Sequence, residues 1–435
     1  MEAVLPQPWF APSHEPDAER GWLRTLYIVG LASLFAVSLI LDIGGSLVNL
    51  GGSDPLILLG AGWLCWRFVT DSIRLPLAWL CLLNFAAMVA PTIYNHELSM
   101  RVLGATGIFV WIVKTPFLWT HFYVLVNVLR NRSDLVLWMR AWVVAAAANG
   151  VIGIYGSLAF QWFALVTPYS LHFRARGLMH DCNAFGMYLT VSFFVGWALM
   201  MITKKRPLWL LGAMGVHMVG MVLTSSRGTM LAAAICFGLL WLVGTSFRFK
   251  MWSVGALVTA VIIVSFMPNG AQVLASNPVT ERLTTTTVNL GSHEAQQRRE
   301  LWGQAAEDFL RSPVFGLGRG NYGQLKPFAP PETRQAHNVY LGLLGEVGLV
   351  GAVTWAMLGL YFGWALLRRS PLLDNDSTWP AALMLLCGMG VLALAGMTVN
   401  TENERTLWLF MASIEVFRRS YTADTPAPFR RGADW

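Results

Sequence analysis

The chain has 435 residues, of which 55% are hydrophobic and 13% charged, and its 31 Lys and Arg against 24 Asp and Glu give a formal net charge of +7. That charged share is about half of what an ordinary soluble domain carries, which excludes a water-soluble globule of this size, since such a fold needs a charged surface. The positive balance does not indicate a nucleic-acid partner, because the basic residues fall in small clusters between apolar runs.

In chain order, a polar, Pro-containing tail at 1–21 precedes the first apolar run. A cleaved signal peptide would place its apolar stretch earlier and end it at small residues, so none is expected. Apolar runs of bilayer-crossing length then follow at roughly 22–41, 55–70, 75–92, 102–129, 135–155, 182–202, 208–224, 229–246, 251–267, 338–367, 380–398 and 406–417. The expected fold is an all-α polytopic membrane protein of about 12 transmembrane helices. Its membrane domain spans 22–417, and 418–435 forms a C-terminal tail.

Basic residues occupy every second connection: Arg67 and Arg74, Arg130 and Arg132, Lys204, Lys205 and Arg206, Arg248 and Lys250, Arg368 and Arg369, Arg418 and Arg419. Short loops rich in Lys and Arg stay in the cytoplasm. The alternation therefore predicts both termini inside, and it predicts an opposite face built from 156–181, the turn Ser225-Ser226-Arg227, a large loop at 268–336, and Thr401 to Arg405. The large loop carries a helix signal. Ser292 can cap it, Glu294 suits its first turn, and Leu301, Trp302, Ala305, Ala306, Phe309 and Leu310 form one apolar stripe that Pro313 ends. A short amphipathic helix on the membrane surface is expected there.

Cys65, Cys81, Cys236 and Cys387 lie inside apolar runs, and Cys182 has no partner in its own segment. No metal-ligand spacing or disulfide framework results, and neither metal nor cofactor is expected. Lys114 and His121 in the fourth run and Glu346 in the tenth are intramembrane ionisable groups, which are functional candidates by default. Pro116 is expected to kink the helix holding Lys114. Glu346 falls on the helix face opposite His337, which points to a buried polar partner on a neighbouring helix.

Arg174, Arg176 and Arg227 lie on outer connections, where the orientation rule disfavours basic residues. Arginine presents a rigid fork of donors that matches phosphate, so several of them at one membrane surface suggest the head group of an anionic lipid, a diphosphate above all. The alternative is contact with ordinary membrane lipids or with the loop's own acids; that loop holds seven Lys and Arg against six Asp and Glu. Arg298 sits within the apolar stripe of the loop helix, aligned with Trp302 and Phe309, so it turns inward or lays its stem along the membrane boundary. Arg299, at the stripe's edge, is expected in solvent. His337 ends the loop directly before the tenth run, where a near-neutral side chain suits a general base, although an interfacial histidine can also be only a satisfied polar group. Tyr340 shares its helix face and could orient a substrate or anchor the interface. Asn338 and Arg319 are further supporting candidates.

Three stretches, LTSSRGTMLA at 223–232, RRELWGQAAEDFLRSPVFGLGRGNY at 298–322 and AHNVYLGLLGEVGLVG at 336–351, together resemble the O-antigen ligase and Wzy-type polymerase superfamily of bacterial membrane glycosyltransferases. Order, spacing and the outer loop between the second and third all match. The resemblance covers roughly 180–417 and implies a GT-C-like inner-membrane enzyme with its site facing the periplasm. It would transfer a glycan from an undecaprenyl-diphosphate carrier to an acceptor hydroxyl, without metal or nucleotide sugar. By the same resemblance Arg227 and Arg298 hold the diphosphate and His337 is the base, with Arg174 and Arg176 matched less closely. Family members often show an Asn-Pro-Asn-like turn after that segment where this chain reads HDCNAFG. A ligase would use the lipid A core as acceptor, and a polymerase would use another repeat unit. A transporter of lipid-linked glycan is a third reading, but transporters tend to place charge near the midplane, whereas here it gathers on one face.

Overall fold

The computed structural model describes residues 21–43, 46–70, 73–244, 293–321, 336–370 and 377–422. Among them are twelve α-helices: α1 Trp22–Leu34, α2 Asp54–Thr70, α3 Ala78–Tyr94, α4 His96–Val128, α5 Arg132–Phe163, α6 Cys182–Thr203, α7 Leu208–Leu223, α8 Arg227–Gly244, α9 His293–Arg311, α10 Val339–Leu367, α11 Trp379–Ala395 and α12 Arg405–Thr422. Four of these, α4, α5, α6 and α10, are long and apolar enough to cross a bilayer, and α1, α3, α7, α8 and α11 are shorter apolar helices. The surface agrees with a membrane protein, because large apolar side chains such as Leu208 and Leu360 stand 85% and 71% exposed while Ser192, Thr190 and Asn84 are buried. The expected apolar run at 251–267 and the cap Ser292 lie outside the described residues.

Local signals account for the helix starts. Asn131 Oδ1 accepts the Asp134 amide at 2.9 Å, and Asp134 Oδ2 accepts the Arg130 amide at 3.0 Å, a reciprocal cap on α5. The core lies where α5, α6 and α12 meet. Trp142 Nε1 donates to Ser192 Oγ at 2.8 Å and Trp138 Nε1 to Ser413 Oγ at 2.9 Å, so each indole buries its ring and still satisfies its polar edge.

The structure corrects several expectations. The first run does not continue as helix to residue 41: α1 ends at Leu34, and Ser38–Ile43 (β1) pairs antiparallel with Ser46–Gly51 (β2). The Gly-Gly dipeptide that separates these two apolar segments in the sequence is hairpin composition, which the length of the run concealed. A second small hairpin joins Ser170–Leu171 (β3) to Arg174–Ala175 (β4), so the fold is mostly rather than wholly helical. In α4 the backbone departs from helix at Gly104, with φ of 64°, and runs as helix through Pro116. Glycine tolerates that left-handed angle at no steric cost, so the break falls there.

Helix α10 also contains a break, at Gly348, with φ of 61°. The chain that follows α9 fills it. Leu317 and Gly318 donate to the carbonyls of Gly345 and Glu346 at 3.0 and 2.8 Å, and Leu349 and Val350 donate to those of Pro313 and Val314 at 2.9 and 3.1 Å. Gly316, at φ of 74°, lies so close to the Glu346 backbone that a side chain there would collide with it. Helix α9 itself packs on α10 where Gly345 leaves room for Ala305 and Asp308. Its buried face is narrower than the expected stripe: Ala305 is buried, Leu301, Trp302 and Phe309 are half-buried, and Ala306 and Leu310 are exposed.

Candidate functional site

Three pieces of chain meet at one end of the bundle. The first is the segment between α5 and α6. Its tip residue His172 adopts a left-handed angle, φ 54°, and the Arg176 and Gly177 amides both donate to the Tyr169 carbonyl at 3.0 Å. Asp181 then caps α6, its Oδ1 accepting the Asn183 and Ala184 amides at 2.8 and 2.9 Å. On this scaffold Arg174 reaches across, donating from Nε to the Thr224 carbonyl at 2.9 Å and from Nη2 to Asn183 Oδ1 at 2.8 Å. Arg176 folds back onto its own loop, its Nε donating to the Pro168 carbonyl at 2.9 Å.

The second piece is the turn before α8. Ser225 takes a left-handed angle, φ 52°, the Ser226 amide donates to Thr224 Oγ1 at 3.2 Å, and the Ser226 and Thr229 hydroxyls lie 3.0 Å apart. This leaves half-buried Arg227 as the first residue of α8. A helix N-terminus carries partial positive charge, and a guanidinium placed there adds a full one, so the position attracts anions. Gly228 sits so close to Thr398 that no side chain would fit, which sets this turn against the connection between α11 and α12.

The third piece joins α9 to α10. Trp302 Nε1 donates to the Ala336 carbonyl at 3.1 Å, and the Val339 amide donates to the Gly396 carbonyl at 2.7 Å. Between these ties His337 is exposed and adopts φ of 46°, an angle that costs a β-carbon-bearing residue energy and persists only where its surroundings enforce it. Surrounding protein disfavours a charge on its imidazole, the Arg298 guanidinium adds to that, and Asp181 opposes it; the net effect is a pKa below the ordinary value. Arg298 is half-buried, whereas Arg299 and Glu300 beside it are exposed, as the helical wheel predicts.

The structure thus gathers Arg174, Arg227, Arg298 and His337 at one end and leaves Arg176 and Arg299 at its edge. The supporting candidates take other positions. Asn338 caps α10, its Oδ1 accepting the Tyr340 and Leu341 amides at 3.0 and 3.2 Å. Tyr340 donates its hydroxyl to the Ala393 carbonyl at 2.7 Å, tying α10 to α11. Arg319 is buried, with Nη1 at 2.5 Å from Glu346 Oε2, Nη2 at 3.4 Å from Glu402 Oε1 and its guanidinium over the Trp111 ring. Two carboxylates engage it, so it braces the turn after α9 from within the protein. The partner of Glu346 is accordingly the turn after α9, not a neighbouring helix, because Glu346 also accepts the Gly320 amide at 3.2 Å.

Replacing Glu346 by Ala would leave that buried guanidinium underpaired and should cost about 3–5 kcal/mol. Thermal unfolding of the purified variant in detergent checks this, and a transition within a degree or two of wild type would contradict it.

Three residues of this end escaped the sequence reading. Asp181 was legible only as a helix cap, since its charge reaches His337 through the fold and not along the chain. Glu402 and Glu404 sit in a connection whose composition carries no motif. Burial pushes both carboxyls above their ordinary pKa, opposed chiefly by Arg319 at Glu402 and by His180 at Glu404.

A cationic cluster at a helix N-terminus beside a histidine kept neutral can hold an anionic leaving group and accept a proton nearby. Residues 210–356 match the family model described as O-antigen ligase, a span that takes in Arg227, Arg298 and His337 and leaves Arg174 and Arg176 outside. No curated protein is similar enough to the chain to count as a match. The chain is similar, over that span, to the O-antigen ligase and Wzy-type polymerase superfamily of membrane glycosyltransferases.

Proposed function

We propose that the protein is an O-antigen ligase of the bacterial inner membrane, which transfers a glycan from undecaprenyl diphosphate to a sugar hydroxyl of the lipid A core at the periplasmic face. The observation that supports this reading is that the Arg298 charge reaches His337, which ends the segment tied to α9 and α11, while Arg227 opens α8. Arg227 and Arg298 hold the diphosphate. His337 takes the proton of the acceptor hydroxyl as its oxygen attacks the anomeric carbon from the face opposite the carrier. The new carbon–oxygen bond forms as the bond to the diphosphate breaks, and the bonding pair leaves on the phosphate oxygen, whose charge the guanidinium groups stabilise. One displacement of this kind inverts the anomeric centre. His337 then returns its proton to solvent, to which it is exposed.

Arg174 supports the site from behind, because two of its guanidinium nitrogens bind the Thr224 carbonyl and Asn183. It fixes the turn that presents Arg227.

Deletion of the gene tests the acceptor. A ligase mutant leaves bare core lipopolysaccharide on a gel while long polymer accumulates on its lipid carrier. Core capped by a single repeat unit would instead identify a polymerase acting on the same donor.

A further inference from the structure

The end of α9 and the turn after it carry large apolar side chains that stand open. Leu310, Val314 and Phe315 are 75%, 48% and 56% exposed. Contiguous apolar exposure of this kind marks a contact. The stripe expected to rest on the membrane does not account for it, because Leu301, Trp302, Ala305 and Phe309 of that stripe are buried or half-buried. Helix geometry instead gives α9 three sides. At about 100° per residue, Ala305 and Phe309 share one side and the exposed Glu300 and Glu307 another, and Leu310 falls between them with exposed Ala306. A helix at the edge of a bilayer divides in this way, with protein, water and hydrocarbon each meeting one side.

Helix α10 fixes the level of the patch. The Leu349 and Val350 amides donate to the Pro313 and Val314 carbonyls at 2.9 and 3.1 Å, so the turn sits at the height of Leu349. From Leu349 to Leu367 the helix runs about 28 Å, close to the roughly 30 Å thickness of a hydrocarbon core, and Arg368 and Arg369 follow at the far end. Leu349, Val353, Leu360 and Trp364 are exposed in one row along that length, the row a bilayer-crossing helix turns to lipid. Leu349 thus stands at the edge of the hydrocarbon, and the patch on α9 continues the row. Asn95 donates from Nδ2 to the Gly316 carbonyl at 3.4 Å, which brings the end of α3 and the exposed ring of Tyr94 to the same level. Aromatic rings gather at that boundary.

We infer that Leu310, Val314 and Phe315 insert among the acyl chains of the nearer leaflet and seat α9 at the membrane boundary. The occupant is lipid hydrocarbon, because the patch lies at its edge and extends a surface that faces it. Arg298 is on the same helix, so this seating sets the height of its guanidinium relative to the leaflet.

The test places a nitroxide on single cysteines in full-length protein reconstituted in vesicles of phosphatidylethanolamine and phosphatidylglycerol. The exposed Cys65 is first replaced by Ser, and the other four cysteines are buried. Power-saturation EPR then compares collisions with oxygen, which concentrates in hydrocarbon, and with a water-soluble nickel chelate. Phe315→Cys should favour oxygen over nickel, as Val353→Cys on α10 does, and Glu307→Cys should show the reverse. Nickel access at 315 equal to that at 307 means that water covers the patch and overturns the inference. Low access to both reagents means that protein covers it, either another part of this chain or a second copy, and overturns it as well. If Val353→Cys itself admits nickel, that row of α10 does not face lipid, and the inference falls with it. Should Phe315→Cys not accumulate in membranes, Leu310→Cys gives the same measurement.

Discussion

Replacing His337 by Ala or Gln should abolish nearly all transfer while the protein still inserts and binds the lipid-linked donor. General-base assistance contributes about a hundred- to ten-thousand-fold, and glutamine keeps a hydrogen-bonding group of similar reach without the ability to take a proton. The pH profile gives a second check. Partial desolvation by the surrounding protein and the charge of Arg298 hold the imidazole pKa below its ordinary value of 6.5, so the rate falls only as pH drops through the lowered pKa. Arg298 is one cause of that lowering, so Arg298→Ala should move the acid limb of any residual activity to higher pH. Near-wild-type turnover in His337→Gln would confine His337 to positioning. Membrane abundance of each variant, measured with its activity, separates lost chemistry from lost folding, which matters for a residue held at φ of 46°.

Arg227→Ala and Arg298→Ala should each reduce transfer by about a hundredfold or more, the scale of removing one preorganised donor from a developing oxyanion. Lysine should rescue poorly, since a point charge cannot reproduce a two-pronged contact. Arg174→Ala should behave differently. Its partners are a backbone carbonyl and an asparagine, so its loss loosens the turn that carries Arg227, and Arg174→Lys should recover part of the activity. Transfer by Arg227→Lys equal to wild type would argue that the site needs only net charge. The reaction should also persist in EDTA, and activity lost there and restored by magnesium would contradict a metal-free displacement.

What the sequence could say about this site depended on whether the signal was local. Arg298 was legible because a charge within an apolar helical stripe is an anomaly on one element, and it is half-buried with its charge reaching His337. Arg227 stood out because the alternation of basic connections leaves its turn on the face where the orientation rule disfavours arginine. The partners of Arg319 were not legible for the complementary reason: only the fold brings Glu346 and Glu402, 27 and 83 residues away, onto its two ends. Among the elements, apolar runs located most helices. They failed at 35–41, because a short apolar segment looks the same in helix and strand until its flanking glycines are weighed. The break at Gly104 instead of Pro116 shows the same limit, since a proline can be accommodated within a helix while a left-handed angle selects glycine.

The break in α10 bears on how such enzymes can diverge. Where a helix within the membrane zone is interrupted, its freed amides and carbonyls need partners, since lipid supplies none. Here residues 313–318 supply them through four backbone bonds, so the stretch after α9 is spliced into the α10 break. Backbone pairing is indifferent to side-chain identity but strict about chain length and about the glycines that allow close approach. Within 313–318 the side chains other than the glycines are therefore freer to change than the length of the stretch. A loop grafted from a relative should function only when this short stretch travels with the broken helix it completes.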